Sequence, residues 1–235
     1  MQISFQTPLV QGYLIKRYKR FLTDIKLTNN ETVTAHCTNS GSMKSCIEVD
    51  AEVYLSPVND PKRKTKFTWE MIKINGSWVG INTSMPNMLA FEYIMNNVIP
   101  GLKGYTTVKR EVKYGDSRFD IYAENENSKC FIEVKNVTLK EGEYARFPDA
   151  KTTRGQKHLK TLMEVKKNGI RAVMLYIIQR TDVDVFGPAW DIDPEYSSLL
   201  TLAYKSGVEI IPLQVEVSPV GFKPKNILPF DLRDY

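Results

Sequence analysis

Apolar positions follow two different periods along the chain, and the change of period divides it. Over residues 9–83 they alternate with polar ones in short runs, the two-residue period of strands with one covered face. Residues 9–27, rich in Tyr, Ile, Leu and Phe, read as one long, bent strand, and Asn29-Asn30 marks the turn after it. Residues 32–37 and 49–55 alternate in the same way, and a loop at 57–61 runs into Lys62-Arg63-Lys64. Residues 67–74 and 78–81 flank Asn75-Gly76, a dipeptide suited to the left-handed backbone of a two-residue hairpin. About five strands with a long first one predict a small closed barrel of the OB type.

From Ser84 onward the pattern lengthens. Ser84 and Pro86 predict a helix start, with the helix running to about residue 98 and ended by Pro100-Gly101. Residues 107–114, 118–123 and 129–136 read as strands and 141–151 as a loop. Thr152 or Thr153 caps a second helix that Gly169 closes. Residues 171–179 are almost wholly apolar, as in a strand covered on both faces. A helix over 194–206, ending at Gly207, and a strand over 208–217 follow. This order predicts crossover helices on a mixed sheet. The fold class is therefore α/β (α+β): an OB-like barrel over 1–83, then an α/β domain over 84–235.

Composition mainly excludes chemistry. The chain has 235 residues, 42% hydrophobic and 25% charged, enough to bury a core and unlike a disordered sequence. Cys37, Cys46 and Cys130 form no Cys-x-x-Cys pair, which argues against a disulfide framework or a zinc cluster and fits a reducing compartment. His36 and His158 are the only histidines, too few for a three-histidine zinc site. Residues 1–10 show no charged and apolar leader, and no run of about 18 apolar residues occurs, so a cytoplasmic protein without a membrane span is expected. The net charge is +5, and residues 1–83 hold 11 Lys+Arg against 7 Asp+Glu. The excess therefore sits in the expected barrel, where a phosphate-binding surface would use it; a solvated face would look the same.

Candidate chemistry concentrates in SRFDIYAENENSKCFIEVKNV. A two-residue turn at Glu126-Asn127 pairs Asn125 with Ser128, and that register sets Asp120 opposite Glu133, with Cβ atoms about 5 Å apart. Alternation puts Phe119 and Ile121 on one face, Arg118, Asp120 and Tyr122 on the other, and groups Phe131, Glu133 and Lys135. Two carboxylates that close repel each other unless a cation sits between them. Hard oxygen ligands suit Mg²⁺ or Mn²⁺, and the Val134 carbonyl offers another oxygen. Lys135 stands about 7 Å along the same face, placed to hold an attacking hydroxide or to meet charge building on a phosphate. On the first helix Met85, Met88, Leu89, Glu92, Met95 and Ile99 form one stripe. A carboxylate in such a stripe needs a metal or a buried cation.

Basic residues add three groups. Arg154, Lys157 and Lys160 crowd the start of the second helix, while Leu159, Leu162 and Met163 face inward. Cations there oppose the macrodipole unless an anion docks. Arg17, Lys19 and Arg20 interleave with Tyr18 and Phe21, as in barrels that hold single strands, although strand aromatics also serve as core. Lys62, Arg63 and Lys64 offer phosphate contacts from a loop. His36 and Cys37, adjacent on a strand, point to opposite faces and make no catalytic pair. Asn39-Ser40-Gly41 reads as a tight turn, and Asp149 stands either to hold Arg154 or to approach the metal.

These residues carry two nested resemblances. Glu92, Asp120 and Glu133-Val134-Lys135 resemble the PD-(D/E)xK nuclease superfamily. RYKRFL (17–22), HCTNSGSM (36–43), KRKTKFTWE (62–70), EVKYGDSRFD (111–120), IEVKNVTL (132–139), FPDAKTTRGQKHL (147–159) and DPEY (193–196) make the chain similar to the bacterial sugar fermentation stimulation protein A family. The resemblance implies an OB-like domain before a restriction-endonuclease-like one, DNA binding, and a link to regulation of sugar (maltose) metabolism genes. It carries the superfamily's metal ligands to Asp120 and Glu133, its lysine to Lys135 and its helical acid to Glu92. Arg118-Phe119-Asp120 departs from the superfamily's Pro-Asp at the first ligand. Two functions follow: a Mg²⁺- or Mn²⁺-dependent nuclease acting on single- or double-stranded DNA, and a DNA-binding regulator that keeps the fold without cleaving. A homodimer is compatible with either.

Overall fold

Strands begin where the alternation begins. In this computed structural model, which describes residues 1–234, β1 (Ile3–Ser4) precedes β2 (Val10–Tyr18), β3 (Leu22–Leu27), β4 (Thr32–His36), β5 (Glu52–Pro57), β6 (Phe67–Ile74) and β7 (Ser77–Gly80). The last six pair in the order β4-β3-β2-β5-β6-β7, and a bridge from His36 to Thr68 joins β4 to β6. Leu14, Ile25, Val53, Leu55 and Trp69 fill the interior. The expected long first strand is two strands. Lys19 and Arg20 take positive φ (49° and 63°) and turn the chain so that Tyr18 pairs with Leu22. The pattern hides this turn because neither residue is Gly or Asn, the usual occupants of that backbone. Asn75 and Gly76, at φ 51° and 73°, make the predicted hairpin.

The remainder comprises α1 (Met85–Met95), β8 (Thr107–Tyr114), β9 (Ser117–Glu124), β10 (Lys129–Val137), β11 (Leu139–Glu141), β12 (Tyr144–Phe147), α2 (Thr153–Lys167), β13 (Arg171–Ile178), β14 (Val185–Pro188), α3 (Pro194–Lys205), β15 (Glu209–Ser218) and β16 (Gly221–Ile227). Seven strands form a mixed sheet in the order β1-β16-β15-β13-β10-β9-β8. β10, β13 and β15 run parallel at its centre, joined by crossovers through α2 and α3. Ala172 to Ile178 are fully buried, the strand covered on both faces that their composition predicts. α1 covers one face through Leu89, Ala90 and Tyr93. α2 and α3 cover the other through Leu159, Leu162, Tyr196 and Leu200. Burying each of these leucines contributes about 1.5–3 kcal/mol. No helix among the described residues is long and apolar enough to cross a membrane.

Two expectations change. β1 pairs with β16, so the residues before Val10 are not part of the barrel expected over 1–83. The stretch 141–151, read as a loop, contains β12, which joins β11 and β14 in a three-stranded sheet. Runs of three and four residues are too short for a period to show.

The barrel is bolted to the sheet domain. Arg180 is fully buried, and its Nη1 donates to the Thr138 carbonyl at 2.6 Å and to Ser45 Oγ at 3.2 Å. Its other nitrogens bind Asp182 at 2.7 and 2.8 Å. The Gly80 N–H donates to the Gln179 carbonyl at 2.9 Å, and Ser77 and Thr181 share a hydroxyl bond of 2.9 Å.

Candidate functional site

The β9–β10 ladder pairs Lys129 with Glu124 and continues to Ile132 with Ile121. One more step brings Asp120 against Glu133, but the ladder stops there. Phe119 and Ile121, which alternation assigns to one face, lie in different cores, Phe119 beneath α2 and Ile121 beneath α1. The strand therefore twists at Asp120. Its Oδ2 accepts the Val134 N–H at 2.8 Å, and its Oδ1 accepts from Asn87 Nδ2 of α1 at 2.8 Å.

Glu133 is 1% exposed and belongs to the α2 side of the sheet. Its Oε1 is held by Lys135 Nζ at 2.5 Å and by His158 Nδ1 of α2. Its Oε2 is buried with no hydrogen-bond partner among the described residues. The two carboxylates titrate in opposite directions. Burial, then the charge of Glu133, pushes Asp120 above its ordinary value, against the Val134 N–H, Lys135 and Asn87. Burial also works upward on Glu133, but the His158 bond and the Lys135 charge outweigh it and hold the group below its ordinary range. No three His, Cys, Asp or Glu side chains among the described residues gather into a closed cage. Of the pair's four oxygens, Glu133 Oε2 alone lacks a partner, and carboxylate oxygens are the donor chemistry that fits a hard cation.

Other expected ligands fall differently. α1 buries Pro86, Leu89, Ala90, Tyr93 and Ile94, not the stripe through Met88, Glu92 and Met95. The helix is apolar nearly all round, so its period cannot select a face. Asn87 is the α1 residue that reaches Asp120, and the half-buried Glu92, five residues on, lies about 140° further round the helix. Val134 meets Asp120 through its N–H, and its side chain is core. His158 was not singled out from the sequence. The available signal was its place on the inward face of α2, one turn before Leu162, where a buried imidazole needs a partner.

A cleft of ≈ 830 Å³ opens between the barrel and the sheet domain. Arg17, Arg20, Lys135, Arg146 and Lys151 line it, with Asp149 as the one carboxylate. Arg17 is partly spent on the wall: it donates to the carbonyls of Asn39 (2.8 Å), Gly41 (3.1 Å) and Arg20 (3.1 Å). Asn39 Oδ1 accepts the Gly41 N–H at 2.9 Å, closing the tight turn. Asp149 is turned toward this barrel loop, accepting backbone N–H groups of Met43 and Ser42. Burial still raises its carboxyl. Gly41 packs so closely on Asp149 that a Cβ would strike the carboxylate.

Among the remaining basic candidates, Lys19 is exposed on the hairpin turn outside the cleft lining. Lys62, Arg63 and Lys64 stand on the β5–β6 loop, Arg63 bonded to Thr65 and Thr68, and do not line the cleft. Arg154 and Lys157 are exposed on α2 outside it, Lys157 donating to the Asp116 carbonyl at 3.1 Å. Arg146, on β12 in the stretch expected to be loop, and Lys151, in the loop before α2, do line it.

Known proteins share both parts. Residues 15–81 match the model of the SfsA N-terminal OB domain, and residues 84–221 that of the Sugar fermentation stimulation protein RE domain. The sugar fermentation stimulation protein homologue of Geotalea uraniireducens is 50% identical over 215 residues, 91% of this chain and 93% of that one. The homologue of Paramagnetospirillum magneticum is 45% identical over 234 residues, 99% of each chain. The solved structure of Pyrococcus furiosus SfsA in complex with Ca²⁺ matches at TM-score 0.88 and 27% identity, over 98% of this chain and 99% of that one. An OB-like barrel followed by the family's RE domain, matched along nearly its whole length, means that the chain belongs to the sugar fermentation stimulation protein family.

Proposed function

We propose that the chain binds DNA in the interdomain cleft and that Asp120 and Glu133, outside the cleft lining but joined to it through Lys135, hold a divalent cation beside it for phosphodiester hydrolysis. One observation carries this reading: Glu133 presents a buried, partnerless Oε2 beside Lys135, which lines a cleft with five cations. Mg²⁺ or Mn²⁺ bound there would polarise the scissile phosphate and acidify water. His158 and Lys135 keep Glu133 ionised, so its free oxygen is ready to ligate. Asn87 and the Val134 N–H fix Asp120 at the twist. Asn87, in place of Glu92, supplies the contribution of α1. Lys135, 15% exposed, meets charge building on phosphate, and Arg20, Arg146 and Lys151 grip neighbouring phosphates. The Pyrococcus furiosus relative was solved with Ca²⁺, a cation that takes the same oxygen ligands. A cytoplasmic location suits DNA binding and the three free cysteines.

A second reading is a DNA-binding regulator of sugar-metabolism genes that does not cleave. It is favoured by the protein partners already held by both Asp120 oxygens and by Glu133 Oε1. Incubation with single-stranded DNA, duplex DNA and RNA, in Mn²⁺ and in EDTA, separates the two. The nuclease reading predicts products in Mn²⁺ that disappear in EDTA and in Glu133→Ala and Lys135→Ala. Retained DNA affinity with no products at any metal tested selects the regulator.

A further inference from the structure

One exposed aromatic side chain, on the β2–β3 turn next in sequence to a cleft residue, is out of place as a core residue. Phe21, just before β3, is 48% exposed, whereas Ile25 and Leu27 of β3 are buried. It directly follows Arg20, which lines the cleft, and its carbonyl accepts the Cys37 N–H at 2.8 Å, next to the cleft residue Thr38. The ring lies nearly parallel to that of His36, at 17° and 6.4 Å between centroids. The turn that presents it is costly: Lys19 and Arg20 both hold a left-handed backbone that side chains adopt at an energetic penalty, pinned by the bond from Arg17 Nε to the Arg20 carbonyl. The same turn closes the β2–β3 hairpin and leaves Phe21 at its tip.

We propose that Phe21, backed by His36, is a stacking shelf for one unpaired base at the rim of the cationic cleft, so that nucleic acid with a single-stranded end is preferred over continuous duplex. The proposal rests on nucleic acid occupying the cleft. Charge complementarity names the occupant: Arg20, which precedes Phe21 in the chain, lines the cleft together with Lys135, Arg146 and Lys151, cations suited to a phosphate backbone. A flat ring beside a basic groove recognises any base by its π-face, without reading sequence. A base inside a duplex is already stacked on both sides and gains nothing from the shelf.

The test is binding in EDTA, where cleavage plays no part. Fluorescence anisotropy of the full chain is read with labelled oligothymidylate, a blunt duplex, and the same duplex carrying a single-stranded overhang. Wild type should bind the overhang more tightly than the blunt duplex. Phe21→Ala should bind oligothymidylate and the overhang about tenfold more weakly, and the blunt duplex equally, while Phe21→Trp restores both. Equal binding of every probe by Phe21→Ala and wild type overturns the shelf and leaves the cleft reading standing. Failure of wild type to bind any probe overturns both. A loss of dimer in Phe21→Ala with unchanged DNA affinity assigns the ring to a second copy of the chain and also overturns the proposal.

Discussion

At Asp120 a carboxylate sits where burial and the charge of Glu133 both favour its protonated form. A carboxyl whose folded pKa lies above its unfolded value of 3.8 weakens the fold once ionised. That penalty is complete at neutral pH and disappears as pH falls through the raised value toward 3.8. Asp120→Asn keeps an acceptor for the Val134 N–H, and a flip of the Asn87 amide restores the second bond. In EDTA at neutral pH the variant should therefore melt about 2–4 °C above the parent, with the gap closing in acid; a lower melting temperature at neutral pH counts against this electrostatics. The β9–β10 register from Glu124–Lys129 to Ile121–Ile132 was legible because a short turn and a two-residue period fix it. The twist between Phe119 and Ile121 was not, because it answers to α1 and α2 packing on opposite faces. His158 was equally hidden, since only the crossing of α2 over β10 brings it to Glu133.

At the scale of elements, the β4–β5 connection shows how a loop becomes a wall. Arg17 holds the Asn39 and Gly41 carbonyls, and Asp149 holds the Ser42 and Met43 N–H groups from the other domain. Gly41→Ala places a methyl against the Asp149 carboxylate. Overpacking of this kind costs about 1–3 kcal/mol. The variant should melt several degrees lower and bind DNA more weakly, as read by thermal denaturation and anisotropy; unchanged values of both would mean that the loop does not shape the cleft. Asn39-Ser40-Gly41 was readable as a turn, but its partner Asp149 was not, because the contact spans more than a hundred residues. α1 makes the same point. Its existence followed from Ser84, Pro86 and Pro100-Gly101, yet its buried face did not, since a helix apolar on most sides offers no contrast to read.

For the whole molecule, the change of period along the chain made a barrel followed by an α/β domain legible. It could not show that Ile3 and Ser4 return to the far sheet, because two residues carry no period. Nor did it show that Arg180, in the run after β13, rivets the parts together. Bonds from Arg180, Gly80 and Ser77 across the junction, with Met71 of the barrel packed into the core beneath α1, make one cooperative unit. Urea denaturation should show a single transition by fluorescence and circular dichroism alike. Arg180→Ala leaves Asp182 and the Thr138 carbonyl without their buried partner and should cost about 3–5 kcal/mol. Separate melting of the barrel in the parent protein would contradict this unity.

The central claim is that Asp120 and the free oxygen of Glu133 share a divalent cation, and diffraction from crystals grown in Mn²⁺ tests it most directly. The account predicts an anomalous peak within ligand distance of an Asp120 oxygen and Glu133 Oε2, absent from Asp120→Asn crystals grown alongside. A map with no peak there, and with both carboxylates still bound only to Asn87, Val134, Lys135 and His158, would contradict it.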